Sequence, residues 1–500
     1  MGQIARCLVC VSVILVLGSY IEARLLKNNF PKANPSENTK KFLIDAIQEG
    51  GLESIQNLEN VRSKLQKFRR LQRQASTRSS NTFVTAMAKH LQKFRQRDDE
   101  EPIETIGDIN HGLEDFLFDG DMMLNNAQAD EITEETRHKR QAYMSSTARW
   151  PKNSPIPFTI DSSISDPKTV KLIYDAIAFW QNETCLTFKE DNKTSPRIKF
   201  HNGAGCSSYV GRATTMTEQP ISVGYRCNYF GIIIHEIAHA LGIFHHQSRP
   251  DRDNYIEIVM QNVPAGWEDD MAIQSLSNTY GLPYEYGSSM HYAEKILESD
   301  AVQILAKDPR YQRSMGNRNM PTFTDVQLVN KYYTCSSACS SSITCQNGGY
   351  QNPADCSKCI CPGGFGGNDC SKVADPQYGA SNCGGSVNAT TSWQTLVGQV
   401  GESSTIIYPR QAACHWHINA PEGKKISIKV NYIRGPCSLG CFYGSTEIKL
   451  GNFTLTGIRL CCSSDLLINS RLETIGNLAV ISVHSQLAVE KFSLQYKISS

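Results

Sequence analysis

The sequence predicts a multidomain chain: an α+β unit, a small disulfide-rich module and a terminal all-β sandwich. Three observations carry this. The chain has 500 residues, and at roughly 100–200 residues per domain that divides into about three or four units. Its 18 cysteines are unevenly spread: Cys7 and Cys10 come first, none follows until Cys185, four lie from Cys185 to Cys335, and twelve come after. The hydrophobic pattern also changes, from helical spacing before residue 335 to strand alternation such as KISIKV at 425–430.

Composition narrows the class. A net charge of +1 gives no reason to expect nucleic acid. A hydrophobic fraction of 40% with 20% charged residues excludes a membrane bundle and a disordered polyampholyte. The crowded C-terminal cysteines point to an oxidising compartment, so a secreted, extracellular chain is expected. Residues 7–18 form an apolar run behind Arg6. A spanning helix needs about 20 apolar residues, so this run reads as a signal peptide, residues 1–19 with the end between 19 and 23, and no membrane span is expected.

Residues 24–140 lack cysteine between the signal run and the α+β unit and have a split charge pattern. Eleven Lys/Arg and no Asp/Glu lie from Arg62 to Arg97; fourteen Asp/Glu and no Lys/Arg lie from Asp98 to Glu135. Such blocks are expected to be solvated faces rather than partners. The acidic block ends at Arg137-His138-Lys139-Arg140. A secretory convertase cuts such clusters, so 24–140 is expected to be a pro-region removed after Arg140. In the following unit, Asp166-Pro167 opens a helical pattern in which Val170, Ile173, Ile177 and Trp180 recur on one face.

Residues 229–245 read YFGIIIHEIAHALGIFH. His235 and His239, four apart, project from one face of a buried helix. Gly242 can take a left-handed conformation and end it, so His245 returns from another direction. Three neutral imidazoles make a tetrahedral zinc site with one open position, and no cysteine between 227 and 335 is there to close it. Glu236, beside the first ligand, can reach a water held there.

HEIAHALGIFHHQSRPDRD (235–253) resembles the long zinc signature of the astacin metalloproteases, within the metzincins. SSMHY (288–292) is similar to that family's Met-turn, and GCSSYVGR (205–212) to the strand beside its substrate cleft. The resemblance spans about residues 141–335. It implies one Zn2+ held by His235, His239 and His245, with Glu236 as the proton carrier in peptide hydrolysis. Tyr292 would ligate zinc and then swing to stabilise an oxyanion, and Met290 would form an apolar floor. It implies bridges Cys185–Cys335 and Cys206–Cys227. Phe118-Asp119-Gly120-Asp121 matches the family's F-x-G-D motif, which makes Asp121 a zinc ligand in the latent form only. Arg318, in Gly316-Asn317-Arg318, would reach the pocket after the scissile bond and favour acidic residues there. His246 departs from the family's usual Glu, which engages the new N-terminus. Cutting after Arg140 would leave Gln141, which can cyclise, so a neutral imidazole would face a neutral terminus. Ile243 replaces a more usual aromatic, a packing change.

Residues 336–371 are too few to bury a sufficient core without staples. CQNGG (345–349) and Cys359-Ile360-Cys361 resemble an EGF-like module, which implies bridges Cys339–Cys356, Cys345–Cys359 and Cys361–Cys370. CHWHINAPEGKKI (414–426) resembles a CUB domain over 383–498, which implies Cys383–Cys414. The pairing of Cys437, Cys441, Cys461 and Cys462 stays open. No calcium site is expected in either module, and His415 and His417 read as ordinary strand residues. Sequons stand at Asn182, Asn192, Asn388 and Asn452. The layout is similar to nematode astacins, which implies protein substrates in extracellular matrix, cuticle or egg-shell. The rival is a catalytically weak or inactive adhesion protein that binds matrix through its two modules.

Overall fold

Asp166 and Pro167 start the first long helix of the α+β unit. Asp166 caps Pro167–Glu183 by accepting from the N–H groups of Lys168 (3.3 Å) and Thr169 (3.1 Å), and Pro167 sits where the helix has no acceptor for its nitrogen. Leu172, Ile173, Ala176, Ile177 and Trp180 are buried on one face. They pack on the helix Phe230–Ala240, every residue of which is buried, and the Trp180 indole donates to the Ile234 carbonyl (3.3 Å). The computed structural model describes residues 41–42, 45, 56–70, 105–134 and 148–499, except 265–266, 269, 275–276, 296–300, 404–405, 464 and 466. The signal run, Arg140 and Gln141 lie outside the described residues. No described helix is long and apolar enough to cross a membrane.

A six-stranded sheet flanks these helices. Its strands are β1 (Met122–Met123), β2 (Ile156–Ile160), β3 (Phe188–Glu190), β4 (Arg197–His201), β5 (Cys206–Tyr209) and β6 (Glu218–Val223), in the order β1-β5-β6-β4-β2-β3. All pairings are parallel except β5 with β6. Thus β5 is the edge of the unit itself, and its open side takes β1 from the segment before residue 141. A two-stranded ribbon, β7 (Ile256–Ile258) and β8 (Ile304–Ala306), lies in the irregular half. The helix Phe323–Tyr332 closes the unit and is tied to the end of the first helix by Cys185–Cys335; Cys206–Cys227 ties β5 to the loop before the second.

The charge blocks before residue 141 do pair where both are described, contrary to the solvated reading. Arg62 meets Asp115 (2.8 Å), Lys64 meets Asp130 (2.6 Å), and the Arg69 guanidinium donates to the Leu117 carbonyl (3.1 Å). The reason is apolar packing. Val61, Leu65 and Phe68, on helical residues 56–70, bury against Phe118 and Met122, which brings the basic face over the acidic segment.

Residues 336–373 form two short ribbons, β9 (Tyr350–Gln351) with β10 (Cys359–Ile360) and β11 (Phe365–Gly366) with β12 (Lys372–Val373), held by Cys339–Cys356, Cys345–Cys359 and Cys361–Cys370. The chain then builds a sandwich. Its strands are β13 (Gly385–Asn388), β14 (Gln394–Gly401), β15 (Ala412–Asn419), β16 (Ile426–Arg434), β17 (Gly444–Lys449), β18 (Ile458–Leu460), β19 (Arg471–Glu473), β20 (Leu478–Ser485) and β21 (Val489–Ile498). One sheet runs β13-β15-β20-β17-β18 and the other β14-β21-β16-β19. Inward residues such as Ile418, Ile428, Ile481, Phe492 and Leu494 fill the space between them. Cys383 bonds Cys414, and the tandem cysteines divide: Cys437–Cys462 and Cys441–Cys461. His415 and His417 are buried; His415 hydrogen-bonds Ser482 Oγ (2.8 Å) and His417 donates to the Gly364 carbonyl (2.9 Å), joining sandwich to small module. The sequon residues Asn182, Asn192, Asn388 and Asn452 are all exposed.

The sandwich docks on the α+β unit through buried polar contacts. Arg313 meets Asp465 at 3.0 Å with side chains 7% and 4% exposed, and Asp465 also accepts from the N–H groups of Cys461 (2.8 Å) and Cys462 (3.0 Å). Glu285, pushed up to about 7 by burial, accepts from Gly287 N–H and, across the interface, Thr456 N–H, each at 2.9 Å. Replacing Asp465 by Ala removes a buried charge contact of Arg313 and the acceptor of the Cys461 and Cys462 N–H groups. We expect destabilisation of about 3–5 kcal/mol in denaturant unfolding. The double change Arg313→Met with Asp465→Leu is expected to recover only the charge part of the loss, because the Cys461 and Cys462 N–H groups still lack their acceptor.

Candidate metal centre and cleft

The helix Phe230–Ala240 ends in a Schellman turn. Gly242 has φ +99°, its N–H donates to the His239 carbonyl (2.7 Å), and the Ile243 N–H reaches back to Ala238 (3.0 Å). The same turn aims Ile243 O at His239, whose Nδ1–H donates to it (2.7 Å). His235 Nδ1–H donates to Ser289 O (2.8 Å). Both rings therefore turn unprotonated Nε2 lone pairs toward one point. His245 comes round the turn with its Nε2 3.3 Å from that of His235, and the Nε2 atoms of His235 and His239 are 3.1 Å apart.

Asp121 supplies the fourth corner. Its Oδ2 is 3.2 Å from His235 Nε2, and its Oδ1 is 3.3 Å from His239 Nε2 and 3.2 Å from His245 Nε2. Four donors about 2.0–2.1 Å from a tetrahedral zinc would stand about 3.3–3.4 Å apart. The observed edges match that size. Oδ1 of Asp121 has no hydrogen-bond donor among the described residues, although the side chain is fully buried. Acceptors packed this closely need a cation at their centre, so the donor set fits zinc. Burial alone would raise the Asp121 carboxyl, but the surrounding imidazoles hold it well below the usual carboxylate range.

The segment carrying Asp121 is a tight loop. Phe118 N–H donates to Met122 O (2.8 Å) and Met122 N–H to Phe118 O (3.0 Å), while Asp119 and Gly120 take φ +51° and +82°. A Cβ on Gly120 would run into the Tyr292 hydroxyl, so that position is restricted to glycine. The Tyr292 hydroxyl donates to the Asp119 carbonyl. Asn110, which sequence reasoning passed over, pins the loop: its side chain donates to Gly120 O (2.9 Å) and Cys206 O (2.6 Å) and accepts from Cys206 N–H (2.8 Å). Ser208 N–H on β5 donates to Asp121 O (3.1 Å), and β1 continues parallel to β5. The loop thus fills the cleft along the edge strand.

Glu236 is fully buried, and neither of its oxygens has a hydrogen-bond partner among the described residues. Burial, with the charge of Asp121, pushes its carboxyl well above the ordinary value. Met290 is buried in the main core, and its carbonyl accepts from His246 N–H (2.7 Å). Asp325 holds the approach to that turn, a role the sequence reading missed. It accepts from Ser288 Oγ (2.5 Å), Ser289 N–H (2.8 Å) and Thr322 N–H (2.9 Å). Thr322-x-x-Asp325 is a capping box, so a local signal for the helix start was present.

Arg318 is bound into the same structure. Its Nη1 donates to Ser289 O (2.8 Å), His291 O (2.8 Å) and Asn317 O (2.9 Å). No acceptor among the described residues takes Nε or Nη2. Gly231 lets this strand of chain lie on the metal helix, since a Cβ there would collide with the Arg318 carbonyl. His246 accepts the Glu285 N–H at Nε2 (2.9 Å) and packs against Tyr284, and burial keeps it neutral. Its reading as a partner of Gln141 falls on a residue outside the described set.

Comparison with known proteins gives the lineage. Residues 142–334 match the peptidase family model Astacin. The chain is 36% identical over 407 residues to zinc metalloproteinase nas-28 of Caenorhabditis elegans, covering 78% of this chain and 80% of that one. It is 33% identical over 504 residues to zinc metalloproteinase nas-31 of the same organism, covering 93% and 80%. Among solved structures it matches high choriolytic enzyme 1, a hatching enzyme zinc-protease from the medaka fish Oryzias latipes, at 29% identity and TM-score 0.36, over 39% of this chain and 99% of that one. With a three-histidine donor set shaped for zinc on a helix inside the matched region, the chain belongs to the astacin family and is a zinc metalloendopeptidase.

Proposed function

We propose that the chain is a secreted proenzyme whose pro-region, residues 24–140, is removed after Arg140 by a convertase, and whose protease domain, residues 141–335, then cleaves extracellular proteins. The observation that carries this reading is the buried carboxylate of Asp121 among the three imidazoles. Eight disulfides and exposed sequon asparagines support secretion. Residues 336–371 are assigned as an EGF-like module and 383–498 as a CUB domain. Substrates in matrix, cuticle or egg-shell follow by analogy with nematode relatives. An inactive adhesion protein is disfavoured, because the donors and the base are all present and turned inward.

His235, His239 and His245 would hold the zinc. When bound, the ion acidifies a water and polarises the scissile carbonyl. Glu236 takes the water's proton on a carboxylate oxygen and delivers it to the leaving nitrogen. Once the pro-loop leaves, the Tyr292 hydroxyl, released from Asp119 O, donates to the oxyanion formed from the substrate carbonyl. Arg318, anchored through Nη1, offers Nε and Nη2 to a carboxylate on the residue after the scissile bond.

Convertase-cut protein is expected to cleave a peptide library, and a zinc chelator is expected to abolish this. Activity that survives complete zinc removal would defeat the protease assignment. In the same library, Arg318→Ala is expected to lose about 1.5–3 kcal/mol of selectivity for Asp or Glu, on the order of tenfold to a hundredfold. An unchanged profile would reduce Arg318 to a clamp of the Met290 turn.

A further inference from the structure

The two faces of the sandwich are used differently. The sheet β13-β15-β20-β17-β18 is covered: His417 bonds Gly364 of the small module, Gly364 packs on Val480, and the N–H of Arg459 on β18 donates to Ser314 Oγ of the protease (3.3 Å). The sheet β14-β21-β16-β19 turns its outer face to solvent. We propose that this outer face binds sulfated polysaccharide and tethers the enzyme to an anionic extracellular polymer. The choice of an extracellular polyanion and the tethering rest on the extracellular reading above; the cationic, ring-bearing face does not.

Charge is the first ground. Lys429, Arg434, Arg471, Lys491 and Lys497 all stand on this face, in a chain whose net charge is only +1. The register places them together. Lys491 pairs with Arg434, Lys429 pairs with Arg471, and Lys497 pairs with Ser427. None of the five forms an ion pair among the described residues. Among the described residues the face carries one side-chain carboxylate, Glu473, which is already engaged by Lys425 (3.5 Å) and by Ser499 Oγ. Like charges on adjacent strands repel, so an anionic chain laid across them gains by neutralising them.

Shape is the second ground. Val397 and Tyr432, in one row with Ser493 between them, are 62% and 40% exposed, and Trp393 at the strand end is 42% exposed. The Arg434 guanidinium lies 5.2 Å over the Tyr432 ring and the Lys497 ammonium 5.2 Å over Trp393. The rings hold the cations over the sheet and offer flat apolar faces to sugar rings. Lys491 and Lys497 are six residues apart on one strand, about 20 Å at the strand rise. That length takes several sugar rings with sulfates on both sides. A disulfide-built chain meets polyanions of the extracellular space, whereas anionic lipid is concentrated in the cytoplasmic leaflet.

The test uses full-length protein and a heparin oligosaccharide, with hyaluronate and phosphatidylserine vesicles as the other arms. Wild type is expected to bind heparin, with log affinity falling linearly against log salt. The variant K429Q/R434Q/K491Q/K497Q is expected to lose at least about tenfold in affinity, and its salt slope to become shallower by about three, at roughly 0.7–0.9 per cation. Its cleavage of a short peptide after activation should be unchanged. A variant that keeps wild-type affinity and slope overturns the proposal. So does wild-type protein that fails to bind heparin at 0.15 M salt, or that binds hyaluronate or vesicles as tightly. If the variant does not fold, acetylation footprinting of wild type decides. Heparin should protect Lys429, Lys491 and Lys497 and leave Lys168 and Lys171 reactive; equal reactivity with and without heparin overturns it.

Discussion

Glu236→Gln is expected to keep zinc and lose peptide cleavage, with kcat reduced by about 10²–10⁴. The argument is geometric. Glu236 neighbours the first zinc ligand on a fully buried helix, so the packing of that helix fixes its carboxylate beside the donors. Its oxygens carry no protein hydrogen bond among the described residues, so Gln can occupy the same space without breaking a network. What Gln cannot do is accept the water's proton and return it. The metal donors are untouched, so zinc measured by metal analysis should stay at one per chain. The two readouts separate causes: lost zinc with lost activity would mean a damaged site, while retained zinc with undiminished cleavage would remove Glu236 as the base.

Much of this site could be read from the chain because its signals are local. HExxH places two imidazoles on one helical face by the 3.6 periodicity alone, and Gly242 marks the turn that returns His245. The Asp166-Pro167 start and the Thr322-x-x-Asp325 box are equally local. Contacts made by folding were not legible. Arg318 showed as a residue at a family position, but its clamp on Ser289 and His291 depends on how two distant loops meet. Asn110 bridges 96 residues to Cys206, with nothing in its neighbourhood to say so. Cys461 and Cys462 are adjacent, so spacing could not choose between them; the end of β18 and the loop from 437 to 441 decide the pairing. The charge blocks before residue 141 read as solvated faces because a charge run carries no sign of the apolar stripe Val61-Leu65-Phe68 that brings them together. Glu285 and Thr456 give no sign in sequence that they seal one interface.

Asp121→Ala in the uncut precursor is expected to release a leak of activity. The carboxylate stands where a fourth zinc donor belongs, so its removal opens that position to water. A charge-assisted contact of about 1.5–3 kcal/mol corresponds to about a tenfold to hundredfold rise over wild-type precursor. The rise should stop short of the processed enzyme, because the rest of the loop does not depend on Asp121's side chain. Asp121 O still accepts from Ser208 N–H, Asn110 still holds Gly120, β1 still pairs with β5, and Phe118 stays buried. Tyr292 also stays bound to Asp119 O, which keeps its hydroxyl from the substrate oxyanion. A precursor with Arg140→Ala, which blocks conversion, isolates the effect in a quenched-peptide assay. Asp121→Asn keeps the shape but loses the charge, and should leak nearly as much if charge on the metal sets latency. A D121A precursor as silent as wild type would assign latency to the filled cleft and not to the carboxylate.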